Sequence, residues 1–294
     1  MIVITTPTGQ IGRQVLANVV GRGRPIRVVA RDPAGLAAGT REVVDVVEGS
    51  HGESDVVDRA FAGADAVFWL VPPNPRSESL EAAYAGFTRP AADALTRHRV
   101  KRVVGVSALG RGTPLARNAG YVTATLEADD LIASSGAAYR ALTLPSFMDN
   151  LLRQVEGIRN QGVFVSPISG DRKLPTCATR DVAAVAARLL LDDSWSGRAS
   201  VPVLGPEDLS FRDMAGIMSE VLGRPVRFQR ISAEAFKARM LERGVSEAMA
   251  QGQLDMALAK DAGLDNAEPR TPESTTPTSF RTWCEEVLRP AVLG

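Results

Sequence analysis

The chain has 294 residues, 45% of them hydrophobic and 23% charged, and its 34 basic side chains balance its 34 acidic ones. That composition suits a soluble globular protein with a substantial core, and zero net charge excludes the overall basic footprint of a nucleic-acid binder. Cys177 and Cys284 form neither a disulfide framework nor a metal-ligand spacing, and no apolar run is long enough to span a bilayer. A cytoplasmic protein with no metal, no membrane anchor and no nucleic-acid partner is therefore expected.

Met1 to Thr5 reads as a buried strand. Gly9 to Val20 reads as a helix with Ile11, Val15, Leu16 and Val19 on its apolar face. Ile26 to Ala30 is a second strand, so strand, helix and strand fit within one βαβ unit. The alternation continues through a strand at Glu42 to Val47, a helix at Asp55 to Ala62 and a strand at Ala66 to Val71 that Pro72 and Pro73 stop. A long helix at Ser77 to His98, a strand at Arg102 to Ser107, a helix at Arg117 to Ser135 and a strand at Tyr139 to Leu144 follow. Near-continuous apolar strands alternating with helices predict an α/β, doubly wound parallel sheet of the Rossmann type.

After Pro145 the rhythm changes. Short extended pieces at Val163 to Val165 and Arg172 to Pro175 precede a helix at Thr179 to Leu191, with Thr179 as its N-cap, and a strand at Ser200 to Leu204. Helices at Ser210 to Leu222, Ala233 to Arg243 and Ser246 to Ala262 follow, then a Pro- and Thr-rich loop and a closing helix at Phe280 to Leu288 that Pro290 should stop. The expected organisation is a Rossmann domain over residues 1–150, which also receives roughly 176–204, and a mainly helical C-terminal lobe over 151–294.

The turn between the first strand and helix carries Thr6, Thr8, Gly9, Gln10, Ile11 and Gly12. A pyrophosphate needs close backbone approach and the N–H groups of a helix start. Gly9 permits that approach, and Gly12 lets the helix pack against the strand. Thr6 stands where an extended glycine loop has its first glycine, which the turn tolerates if Thr6 keeps a negative φ. Two glycines alone also suit a structural turn; the βαβ context raises dinucleotide binding above it. Arg31 ends the second strand where NAD-binding proteins usually place an acid, and a guanidinium pairs bidentately with a 2′-phosphate. NADP(H) is preferred over NAD(H) on that basis, with Asp32 next door as the competing feature.

Thr5 to Gly12, Val28 to Pro33, Phe61 to Phe68, Val103 to Ser107, Ser135 to Tyr139, Leu144 to Asn150, Thr179 to Ala183 and Thr276 to Trp283 together resemble the NmrA-like family of atypical short-chain dehydrogenases/reductases. The resemblance implies an NAD(P)-binding Rossmann domain and a smaller C-terminal substrate lobe. It also implies activities that range from quinone reductases to redox-sensing regulators without turnover.

The usual short-chain proton donor is a Tyr with a Lys four residues later. Tyr121 stands at the matching place, but Thr125 occupies the lysine position, and none of the four lysines fits. Tyr121 is thus either a weak proton donor or a packing residue. Ser107, at the carboxyl edge of its strand, either hydrogen-bonds substrate or nicotinamide or caps the strand. Leu70, Val71 and Pro72 would wall the cofactor cleft, and Pro145 and Phe147 would flank the nicotinamide. His51 is read as an adenine or loop contact. The resulting expectation is an NADPH-dependent oxidoreductase acting on a small apolar, quinone-like or aromatic metabolite, monomeric or homodimeric. The alternative is a non-catalytic NADP(H)-sensing regulator.

Overall fold

Strands that are apolar on both faces need cover on both faces, and six strands from the first half of the chain, joined by one from the second, build one seven-stranded sheet. A computed structural model describes residues 1–294. In chain order the strands are β1 (Ile2–Thr5), β2 (Ile26–Ala30), β3 (Asp45–Glu48), β4 (Ala66–Trp69), β5 (Arg102–Ala108), β6 (Ala138–Leu144), β7 (Ser146–Phe147), β8 (Val163–Ser166), β9 (Leu174–Cys177), β10 (Arg198–Pro202), β11 (Asp208–Leu209) and β12 (Arg227–Arg230). The α-helices are α1 (Gln10–Val19), α2 (Ala38–Arg41), α3 (Ser54–Phe61), α4 (Phe87–Arg97), α5 (Tyr121–Ser134), α6 (Val155–Gln161), α7 (Thr179–Leu191), α8 (Phe211–Leu222), α9 (Ala233–Glu242), α10 (Glu247–Asp261), α11 (Phe280–Trp283) and α12 (Arg289–Leu293). No helix is long and apolar enough to cross a membrane.

The sheet order is β10-β6-β5-β4-β1-β2-β3. The pairs β1–β2, β2–β3, β1–β4 and β4–β5 are parallel, with Ile4 opposite both Val28 and Phe68. Strand order therefore reverses between β1 and β4, the switch point beyond whose carboxyl ends open α/β sheets bind ligands. The fold is the Rossmann-type α/β sheet expected from the alternation.

Two compact units divide the chain. The first comprises residues 1–107, 124–143 and 182–201, and the second 108–123, 144–181 and 202–294. The segments 108–123 and 144–150, expected with the first unit, group with the second, because each leaves the sheet as soon as β5 or β6 ends. One core cluster of the first unit joins Val57, Phe61, Val67, Leu95, Val103 and Ile132, all at 2% exposure or less. Each fully buried large apolar side chain of this cluster contributes ~1.5–3 kcal/mol to the stability of the unit. The second unit has its own core, with Phe164, Met218, Phe280, Trp283 and Leu288 fully buried, and two small sheets, β11-β9-β7 and β12-β8.

Local chemistry explains where elements start and stop. Ser210, Ser232 and Ser246 cap α8, α9 and α10 with their side-chain oxygens. The helix expected from Arg117 instead breaks at Gly120. That residue has φ +53°, and a Cβ there would lie 1.9 Å from the Gly252 carbonyl oxygen. The closing helix does not stop at Pro290 but runs to Leu293. A π-type turn at Cys284–Leu288 precedes this proline, and another at Ala82–Gly86 precedes Pro90 inside α4. A proline offers no N–H to the preceding turn and its ring crowds the carbonyl four residues back; the widened turns relieve both defects.

Gly105 on β5 makes room for Tyr139 on β6. A Cβ at Gly105 would lie 2.4 Å from the Tyr139 Oη and 2.7 Å from its Cε2, and Tyr139 is 4% exposed with nowhere to retreat. Gly105→Ala is expected to destabilise the protein by about 2 kcal/mol or more, seen as a lower urea midpoint at unchanged m-value.

Candidate cofactor site

The turn after β1 is a close crossing of backbone on backbone. Gly9 is the N-cap of α1 and supplies no side-chain cap, so the N–H groups of the first turn keep their positive end for an outside acceptor. A Cβ at Gly12 would lie 2.0 Å from the Thr6 carbonyl oxygen and 3.1 Å from that of Thr5. Only glycine fits there. The same Thr6 oxygen accepts from the Gly9 N–H at 2.9 Å, which closes the turn. Ile11 and Gly12 are buried, and Thr8 and Gln10 are exposed. The Thr8 methyl packs beside Gly35 in the loop after β2, where a Cβ would lie 3.1 Å from it.

Thr6 corrects one expectation. Its φ is +53°, not negative. The turn keeps the left-handed conformation that a glycine would supply, and a β-branched residue bears the strain. The Thr6 Oγ1 is also buried without a hydrogen-bond partner. An orphaned donor beside an uncapped helix start fits a phosphate-bearing ligand.

Arg31 directly follows β2 and is exposed. Beside it, Asp32 Oδ1 accepts the Ala34 N–H at 2.8 Å and caps the short 3₁₀ turn Pro33–Gly35.

The end of β4 is pinned from two sides. Thr5 Oγ1 donates to the Phe68 carbonyl at 2.9 Å and accepts the Leu70 N–H at 3.2 Å, extending the β1–β4 ladder past its last backbone pair. His51 Nε2 donates to the Leu70 carbonyl at 3.0 Å, and its ring meets Trp69 and Phe87 edge-on at 5.2 and 4.9 Å. Burial in this aromatic setting lowers the His51 pKa to about 4, with nearby Arg31 acting in the same direction and the hydrogen bond to Leu70 opposing. His51 is therefore a neutral brace for Leu70, which with Val71 and Pro72 stays partly exposed.

Ser107, Val71 and Trp69 line a cavity of about 160 Å³ together with Tyr84, Val106, Thr125, Ala128 and Asp129. The Ser107 hydroxyl donates to Asp129 Oδ2, and the Tyr139 hydroxyl donates to Asp129 Oδ1 at 2.6 Å. Asp129 and Tyr139 carried no role in the sequence reading. A signal for Asp129 existed: it falls on the α5 face of Val122, Leu126 and Ile132, where an acid has no reason to sit unless it is paired.

Tyr121, Pro145 and Phe147 belong to the second unit. Burial raises the Tyr121 hydroxyl above its ordinary value against an opposing effect of Arg153, which makes it a weaker proton donor at neutral pH, not a stronger one. Pro145 is buried, and Phe147 in β7 pairs with Cys177 of β9. Burial drives the Cys177 thiol well above its ordinary value, so it is a packing residue without thiolate reactivity.

Comparison with known proteins agrees with this geometry. The profile of a family described as NAD(P)H-binding matches residues 7–193. A (4-alkanoyl-5-oxo-2,5-dihydrofuran-3-yl)methyl phosphate reductase of Streptomyces griseus is 33% identical, with 97% of each chain covered. An NAD(P)H azoreductase of Xenophilus azovorans is 29% identical over 94% of this chain and 93% of its own. Among solved structures, an NADPH-dependent quinone oxidoreductase of Escherichia coli complexed with NADPH superposes with a TM-score of 0.74 at 23% identity, covering 90% of both chains. That last likeness is one of fold.

Two outcomes follow from the geometry. Thr6→Gly removes a left-handed penalty of ~1–2 kcal/mol and adds a glycine entropy cost of ~0.5–1 kcal/mol, so it should stabilise the protein by about 0.5–1 kcal/mol in urea unfolding. His51 titrates at about 4 when folded and near 6.5 when unfolded, so the unfolded chain takes up the proton first as pH falls. Stability contributed by neutral His51 is complete above pH 6.5 and is lost as pH drops towards 4. Between pH 7 and pH 5 the loss is about 2 kcal/mol, and it should largely vanish in His51→Gln.

Proposed function

The chain belongs to the NAD(P)H-binding family, and from that premise we propose that it is an NADPH-dependent oxidoreductase. The observation that carries the cofactor choice is the exposed Arg31 at the end of β2 beside an Asp32 already used as a turn cap. Bound NADPH supplies a hydride. The first turn of α1, with Gly9 and Gly12, accepts the pyrophosphate, Thr6 Oγ1 offers a buried donor to it, and Arg31 pairs with the 2′-phosphate. Leu70, held by Thr5 and His51, and the neighbouring Val71 wall the dinucleotide.

The acceptor we propose is a small apolar, quinone-like or aromatic metabolite. Thr125 occupies the place of the lysine that would assist a proton-donor tyrosine, and Tyr121 is a poor acid. A quinone-like acceptor meets this condition, because water can protonate its reduced oxygens. The names of the relatives support reductase chemistry and widen the panel to azo compounds and a phosphorylated butenolide. The same missing lysine favours a second reading, an NADP(H) sensor without turnover. We further propose a cytoplasmic protein, monomeric or homodimeric.

NADPH oxidation followed at 340 nm against quinones, azo dyes and phosphorylated butenolides separates the two readings. Turnover with at least one acceptor class is expected, whereas tight NADPH binding with no turnover on any class would establish the sensor. Arg31→Ala should weaken NADPH binding about tenfold, the size of one charge-assisted contact at an exposed site, and leave NADH binding unchanged.

A further inference from the structure

The cavity at the β4–β5 edge of the first unit contains a buried carboxylate whose two oxygens are both claimed by hydroxyls. Asp129 is 5% exposed and Ser107 5%, and the Ser107 hydroxyl gives its hydrogen to Asp129 Oδ2. Asp129 Oδ1 receives the Tyr139 hydroxyl at 2.6 Å. The Tyr139 ring reaches that position because Gly105 leaves the space open. The carboxylate is thus held in one orientation by two donors from different strands.

A serine hydroxyl has one hydrogen and two lone pairs. With its hydrogen committed to Asp129, the Ser107 oxygen has only lone pairs left for anything else. Ser107 and Asp129 both line the cavity, whose volume of about 160 Å³ is close to the ~150 Å³ of an apolar protein cavity known to admit benzene. Trp69, Val71, Val106 and Ala128 supply apolar walls of matching size. The Trp69 Nε1 in the same lining is buried without a protein partner.

We propose that Asp129 is a positioning residue that fixes Ser107 as a hydrogen-bond acceptor towards this cavity, so that the site takes a ring-sized group bearing an N–H or O–H donor and discriminates against a bare carbonyl. Ser107 then orients a ligand and does not protonate one. The donor has two possible sources with the same chemistry, the carboxamide of the nicotinamide or the hydroxyl of a reduced aromatic product. The inference rests on the NADP(H) reading for the first source and stands apart from it for the second.

Titrations of the full chain with matched ligand pairs test it. One pair is NADP⁺ and its 3-acetylpyridine analogue, in which a methyl ketone replaces the amide. The other is hydroquinone and its dimethyl ether, measured with and without NADP⁺. The wild-type protein should prefer the donor-bearing member of at least one pair by about fivefold or more, and the pair that discriminates identifies the source. Ser107→Ala and Asp129→Asn should each reduce that ratio below about twofold, whereas Ser107→Thr, which keeps the hydroxyl, should retain it. Tyr139→Phe leaves the Ser107–Asp129 contact in place and should keep most of the ratio. Should Asp129→Asn fail to fold, the Ser107→Ala and Ser107→Thr pair still decides. Equal binding within both pairs, or a ratio unchanged in Ser107→Ala, overturns the assignment. No binding of NADP⁺ at all overturns the functional reading instead, and the hydroquinone pair measured without NADP⁺ then decides this one.

Discussion

Where α1 leaves β1, the Thr6 carbonyl passes so close to Gly12 that no side chain fits between them. The rest of the first unit depends on this crossing. It brings the uncapped start of α1 to the carboxyl edge of the sheet at the point where strand order reverses. It also sets Thr6 in the left-handed region, with its hydroxyl buried and unpaired. A protein that only needed to turn a corner has cheaper ways to do so. Strain and an orphaned donor at a helix start are instead what a site for an anionic ligand retains.

Around that crossing, polar side chains do structural work that fixes the neighbouring walls. Thr5 continues the β1–β4 ladder after the strands part, and His51 holds the same Leu70 peptide from the other side. Because His51 is desolvated among Trp69 and Phe87, it stays neutral and acts as a donor of fixed direction. Asp32 is turned into a cap for the turn that follows β2. Asp129 likewise fixes the Ser107 hydrogen. In each case a side chain able to play several roles is restricted to one by its nearest partner.

Family membership and geometry bear on different parts of the function. The NAD(P)H-binding match and the relatives with reductase names support a dinucleotide reductase. The local chemistry bears on the proton. Tyr121 is shifted in the unhelpful direction, Ser107 has already given its hydrogen away, and Thr125 stands where a lysine would be. A reduction that takes its proton from solvent is consistent with all three.

The sequence alone determined the alternating α/β order, the glycine-bearing turn at Thr6 to Gly12 and the charge of Arg31, because these depend on short-range periodicity and on residues within one βαβ unit. Only the tertiary structure decided the sign of φ at Thr6, since that depends on the backbone crossing over Gly12 and not on threonine's own preference. The breaks at Gly120 and the passage of the last helix through Pro290 were likewise set by neighbours distant in sequence or by a widened turn. The Ser107–Asp129–Tyr139 constellation joins β5, α5 and β6 by hydrogen bonds between residues 22 and 10 apart in sequence, through space that the absent side chain of Gly105 leaves open. A hydrogen bond of that kind has no period and no local signature, so Asp129 acquired its partners, and Ser107 its direction, only when the strands were laid side by side.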